Sequence, residues 1–115
     1  MSSPTRLNEA TKETLRCFVD LQTALNQQDG TVKPSVLLLL HQQLEGLRAL
    51  HKDMSTGAPT RRAWSYGQSA VPVLHIILQS VSKADPVAEV GLIVSRCREQ
   101  LDALGSALLA SAEGR

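Results

Sequence analysis

Aromatic side chains are nearly missing from this sequence: its 115 residues hold one Phe, one Trp and one Tyr. Proteins that grip single-stranded nucleic acid stack its bases on aromatic rings, so that mode of binding has little to work with here. A basic surplus is missing too. Lys plus Arg numbers 12 and Asp plus Glu 11, a net charge of +1; residues 1–57 hold six of each sign, and 58–115 hold six positive and five negative. Nucleic-acid domains draw much of their affinity from a basic face that neutralises phosphates, so no nucleic-acid partner is expected. The one adjacent basic pair, Arg61-Arg62, fits a solvated linker.

Long apolar runs are also lacking. A bilayer helix needs roughly 20 apolar residues in succession. The closest stretch, Ala63 to Ser82, has no Asp, Glu, Lys or Arg, but Ser65, Gln68, Ser69, His75 and Gln79 interrupt it. It reads as a buried helix with its approach loop, and no membrane span is expected. Met1 to Arg6 lacks the apolar core of a secretory signal. Cys17 and Cys97 are too few and too far apart for a disulfide framework. These absences lead us to expect an intracellular protein of the cytoplasm or nucleus. The glycines are scattered, and none forms a phosphate-cradling loop after a strand.

What is present is helix-forming: Leu, Ala, Gln and Glu in place of the alternating Val, Ile, Thr and aromatics of a sandwich or barrel. The length suits one domain, residues 1–115. Helices are predicted over 4–27, 33–54, 60–83 and 86–110. The first opens at Ser3-Pro4, carries a stripe from Leu7 through Phe18 to Leu25, pairs Arg16 with Asp20 across one turn, and stops at Asp29-Gly30. The second starts between Thr31 and Pro34 and ends at Ser55–Pro59; its segment Val36–Leu40 is apolar on every side, which demands cover from the bundle centre or from a partner. In the third, Gly67 and Pro72 predict a kink or break within 67–72, with Ser69 as a possible second cap. The fourth takes Asp85 as cap and Pro86 as first residue. Its stripe of Val87, Val90, Val94, Cys97, Leu101, Leu104 and Leu108 steps by three and four, the seam pattern of a coiled coil. Short connections favour antiparallel neighbours. The fold expected is therefore all-α: a mainly antiparallel, up-down four-helix bundle with a heptad-patterned C-terminal helix.

Candidate chemistry is thin. His41 and His51 lie on one predicted helix, about 80° out of register at 100° per residue. Apart from His41/Glu45, neither has a partner at ligand spacing, and such pairs arise by chance. His51 also invites a test as a phosphotransfer histidine on a four-helix bundle, but Lys52 and Asp53 follow it directly and Gly57 ends the helix, against the exposed, roomy setting that chemistry needs. Cys17 and Cys97 fall on apolar stripes as buried structural thiols, with Arg16, Arg96 and Arg98 directed off those stripes. Arg61-Arg62-Ala63-Trp64-Ser65 places basic residues ahead of a serine in an expected loop, as a basophilic kinase site would. We expect no catalytic residue, cofactor or metal.

The run Val71-Pro72-Val73-Leu74-His75-Ile76-Ile77-Leu78-Gln79-Ser80-Val81-Ser82-Lys83, followed by a heptad helix, resembles a segment of Mediator subunit nine. The resemblance implies a subunit of a coiled-coil assembly in transcriptional coactivation. The chain departs from that family in lacking a long second coiled-coil helix and in carrying two helices ahead of the segment.

The function expected is a non-enzymatic helical interaction module: a scaffold or adaptor subunit meeting a partner's apolar helix, or forming a homo-oligomer, through Trp64, Tyr66, Leu101, Leu104 and Leu108. The alternatives are a His51-centred phosphotransfer-like domain or other small enzyme and, more weakly, a Mediator-like subunit.

Overall fold

The structure, a computed structural model, describes residues 3–28, 32–55 and 61–113. It contains α1 (Ser3–Asn26), α2 (Pro34–Ser55), α3 (Arg61–Lys83) and α4 (Ala88–Glu113), with no strand among the described residues. Each helix packs on its neighbours in sequence, α4 returns to close on α1, and the backbones of the diagonal pairs stay apart. The result is a square four-helix bundle measuring 45 × 20 × 18 Å.

Cross-helix contacts set the directions. On α1 and α4, Thr14 Oγ1 donates to the Gln100 carbonyl at 3.0 Å and Arg96 reaches Asp20 at 2.9 Å, so one index rises as the other falls. Asn8 with Ser55 and Gln22 with His41 show the same reversal for α1 and α2. Arg98 with Ser82 and Asp102 with His75 show it for α3 and α4. All four neighbouring pairs are antiparallel, the arrangement that short connections impose.

The predicted stripes are the core. Leu7, Cys17, Phe18, Leu21 and Leu25 of α1 meet Leu40, Leu44, Leu47, Leu50 and Met54 of α2 and Leu74, Ile77, Leu78 and Val81 of α3. Burying one such side chain stabilises the fold by about 1.5–3 kcal/mol. Two threonines share this interior without penalty: Thr11 bonds the Leu7 carbonyl and Thr14 the Ala10 carbonyl, both at 2.8 Å.

Several local expectations are corrected. Of the kink or break expected within 67–72, the break is absent: α3 is one continuous helix with Pro72 inside it. Pro72 is exposed, so the Gln68 carbonyl it deprives of a donor faces the solvent side. Ser69 does not cap a second helix: its hydroxyl turns back to the Ser65 and Tyr66 carbonyls, both at 3.1 Å. The Arg61–Ser65 run lies in the first turns of α3 and not in a loop. Asp85 does not cap α4. It takes a left-handed conformation (φ 56°) just past α3, a place Asp tolerates, and the first backbone bond of α4 runs from Gly91 N to Val87 O. Arg16 pairs with Glu13, leaving Asp20 for Arg96. The expected stops at Asp29-Gly30 and 56–59, and the start at Thr31, lie outside the described residues.

Candidate interaction surface

The leucines expected to meet a partner are inside the bundle. Leu101 and Leu104 are fully buried and Leu108 is 3% exposed, because α4 spends its heptad seam on α1 and α3. This corrects the view of those three as surface. Trp64 and Tyr66 are half-buried and pack against the core, but they do not form one patch. Two residues apart on a helix, they project about 200° from each other. Tyr66 lies on the α2 flank of α3: its hydroxyl donates to the Gln43 carbonyl at 2.9 Å and bonds Gln43 Oε1 at 3.0 Å, and its ring occupies the space a Cβ at Gly46 would fill. Burial pushes the Tyr66 phenol above its ordinary 10.0.

The exposed apolar residues lie elsewhere: Leu38 and Leu39 belong to the Val36–Leu40 segment expected to need cover, and pattern reading did not single out Ile76. Leu38 is 60% exposed, Leu39 37% and Ile76 61%. Leu39, Gln43 and Gly46 share one face of α2 at spacings of four and three, the face that meets Tyr66. On α3 the stripe Tyr66, Ser69, Val73, Ile76, Ser80 starts at that contact. At its far end Ser80, Lys83 and Ala84 line a groove of about 550 Å³ with Val32, Ser35 and Val36. Between these two fixed points Leu39 and Ile76 come to the same level of the bundle. Two of the five residues in the all-round apolar segment of α2 are therefore uncovered: Leu38 and Leu39 face outward, whereas Leu40 is buried and Val36 and Leu37 are half-buried.

This α2/α3 side is distinguished by its charge. α3 bears none from Ala63 to Ser82, and the α2 residues on this side, Ser35, Leu38, Leu39, Gln42, Gln43, Gly46 and Ala49, bear none either. Among the described residues, charge stands only at its ends, Lys33 and Lys83 at one and Asp53 and Arg61 at the other. Several ion pairs decorate other sides: Glu45 with Arg48 and His41, Arg96 with Asp20, His75 with Asp102. The remaining exposed large apolar residues are dispersed, with Val87 between α3 and α4, Leu92 near the start of α4 and Leu109 near its end.

The histidines and thiols occupy fixed polar or buried settings. His51 Nε2 sits 3.4 Å from the Ser55 hydroxyl, and its Nδ1 is enclosed without a hydrogen-bond partner. His41 bonds Gln22 at 3.0 Å, and His75 lies 3.3 Å from Asp102. Among the described residues no three His, Cys, Asp or Glu side chains gather to hold a metal. Cys17 and Cys97 are buried and free, with the Cys97 thiol donating to the Cys17 carbonyl at 3.3 Å. Burial, reinforced by Cys17, pushes Cys97 up to about 12. Arg96 is exposed, off the stripe as expected, and pairs with Asp20 at 2.9 Å; its neighbours Cys17 and Asp20 hold its proton more firmly than usual.

No helix of the described residues is long and apolar enough to cross a membrane. No family model, curated protein or solved structure matches the chain.

Proposed function

We infer that the protein is a non-enzymatic interaction module, a scaffold or adaptor subunit that docks a protein partner through its α2/α3 face. One observation carries this reading: Leu38, Leu39 and Ile76 are exposed together on a side whose middle has no charge. Exposed apolar side chains scattered singly are ordinary, but a contiguous apolar patch ringed by polar residues marks docking surfaces. Phosphoryl transfer at His51 has less to support it, because one ring nitrogen is enclosed and the other lies against Ser55.

Leu39→Glu combined with Ile76→Glu tests the reading. Both sites are solvent-facing, so the circular dichroism spectrum and melting temperature are expected to stay within about 0.5 kcal/mol of wild type. Association, followed by titrating the identified partner or by sedimentation, is expected to collapse, while His51→Ala leaves it intact. Equal association by the wild type and the doubly acidic variant would sink the proposal.

A further inference from the structure

We propose that Cys17 and Cys97 are one oxidisable dithiol site, closed by a peroxide into a disulfide that clamps α1 to α4, with Cys17 the sulfur that reacts first. The site lies across the bundle from the α2/α3 face and does not rest on docking there.

Register brings the two together. α1 and α4 run antiparallel, and Thr14 bonds the Gln100 carbonyl at 3.0 Å. Three residues onward along α1 is Cys17, and three residues back along α4 is Cys97, so the pair stands at one level of the seam. The hydrogen bond from the Cys97 thiol to the Cys17 carbonyl, at 3.3 Å, agrees with that register. These are the two cysteines of the whole chain, and both face inward, 4% and 0% exposed.

Close approach of the backbones does the rest. A disulfide requires Cα atoms about 4.4–6.8 Å apart, whereas helix axes commonly pack about 8–10 Å apart. Facing cysteines come within reach only where two helices lie tightly together. Thr14 and Cys97 carry short side chains, yet each touches the backbone of the opposite helix. Small side chains at the contact permit this spacing, and Ala10, Ala103 and Ala107 continue the same seam. Turning the Cys97 thiol off the Cys17 carbonyl and onto the Cys17 sulfur is then a side-chain rotation.

The chemistry runs in two steps. The Cys17 sulfur attacks one peroxide oxygen: an S–O bond forms, the O–O bond breaks, and the departing hydroxide leaves as water with the thiol proton. The Cys97 sulfur then attacks the Cys17 sulfur, the S–O bond breaks, and the second hydroxide leaves as water with the Cys97 proton. Each sulfur loses one electron and each peroxide oxygen gains one, so one peroxide is consumed per disulfide. Cys17 goes first because it is the more exposed of the two and neighbours the exposed Arg96–Asp20 pair at the edge of the seam. Cys97, pushed up to about 12 by burial and then by Cys17, keeps its proton until a sulfenic acid stands beside it. The product staples the first helix to the last. Its cysteines are 80 residues apart, and a cross-link around so long a segment strongly restricts the unfolded chain.

The test is intact mass and peptide mapping of the full chain after hydrogen peroxide, with remaining thiols trapped by iodoacetamide in denaturant. The expected product is a single chain lighter by two hydrogens, with the Cys17 and Cys97 segments joined. It is expected to keep its helical circular dichroism and to melt roughly 10 °C higher, until dithiothreitol returns it to the starting value. In Cys97→Ala, Cys17 is expected to accumulate a sulfenic acid that dimedone captures; in Cys17→Ala, Cys97 is expected to stay reduced. Five results overturn the proposal: both thiols alkylated at every peroxide dose, sulfinic acid without a joined peptide, a disulfide between two chains, a joined chain that melts no higher than the reduced one, or dimedone capturing Cys97 as readily as Cys17.

Discussion

Gly46 and Tyr66 share one space. Glycine in a helix interior is about 1 kcal/mol worse than alanine, so Gly46→Ala on an isolated helix would stabilise it. Here the added methyl collides with the Tyr66 ring, which is pinned by its bonds to Gln43. Such overpacking costs about 1–3 kcal/mol, so the net effect of Gly46→Ala is expected to be destabilising. In a Tyr66→Ala background the collision is gone, and the same substitution is expected to stabilise by about 1 kcal/mol. A denaturant double-mutant cycle reads that change of sign directly. A second residue-scale consequence concerns Cys97, whose thiol is raised from an ordinary 9.0 to about 12. The folded state keeps this proton while the unfolded chain gives it up. The stabilisation is therefore complete below pH 9 and is lost between pH 9 and about 12, at about 1.4 kcal/mol per pH unit. Guanidinium midpoints measured from pH 8 to 10 are expected to fall for the wild type and to stay nearly level for Cys97→Ala. Tyr66, also raised, adds to the alkaline loss only above its ordinary 10.0.

At the scale of the helices, Pro72 sits at the centre of α3. Proline in a helix interior costs about 3 kcal/mol, of which roughly 0.4–1 returns through a stiffer unfolded chain. The side chain is exposed and gives up no core packing. Pro72→Ala is therefore expected to stabilise the bundle by about 2 kcal/mol, read as a higher melting temperature; an unchanged or lower one would show that the bundle depends on the shape proline gives α3. Pro72 also shows where sequence reading succeeds and where it stops. The existence of four helices, and most of their buried positions, were legible because three-four spacing of Leu, Val and Ile writes a buried stripe directly into the chain. Continuity through Gly67 and Pro72 was not, because local propensity argues for a break and only packing of Gly67, Ala70 and Leu74 in the interior overrides it. Asp85 misled for a related reason: an Asp-Pro pair reads as a helix start, while its left-handed backbone belongs to the end of α3.

The candidate surface was hidden in the sequence for a reason that belongs to the whole molecule. A heptad stripe is the same text whether its partner is a second chain or the rest of its own, and here the bundle absorbed Leu101, Leu104 and Leu108 itself. The signal that survived was negative, the twenty residues without charge in α3 together with an α2 segment apolar on all sides. Those features were visible; that they come together on one side of the bundle required knowing that α2 and α3 are antiparallel neighbours. The closure of α4 on α1, the most extensive helix pairing in the bundle, has a consequence of another kind. α1 ends at Asn26 and α4 begins at Ala88, so on a ribosome adding roughly 5–20 residues per second, α1 waits about 3–12 seconds for the helix that covers it. During that interval the flank of Leu7, Cys17 and Leu21 has only α2 and α3 beside it. The nascent chain is thus most adhesive before α4 is made, which is the window in which a chaperone or a second nascent copy would find it.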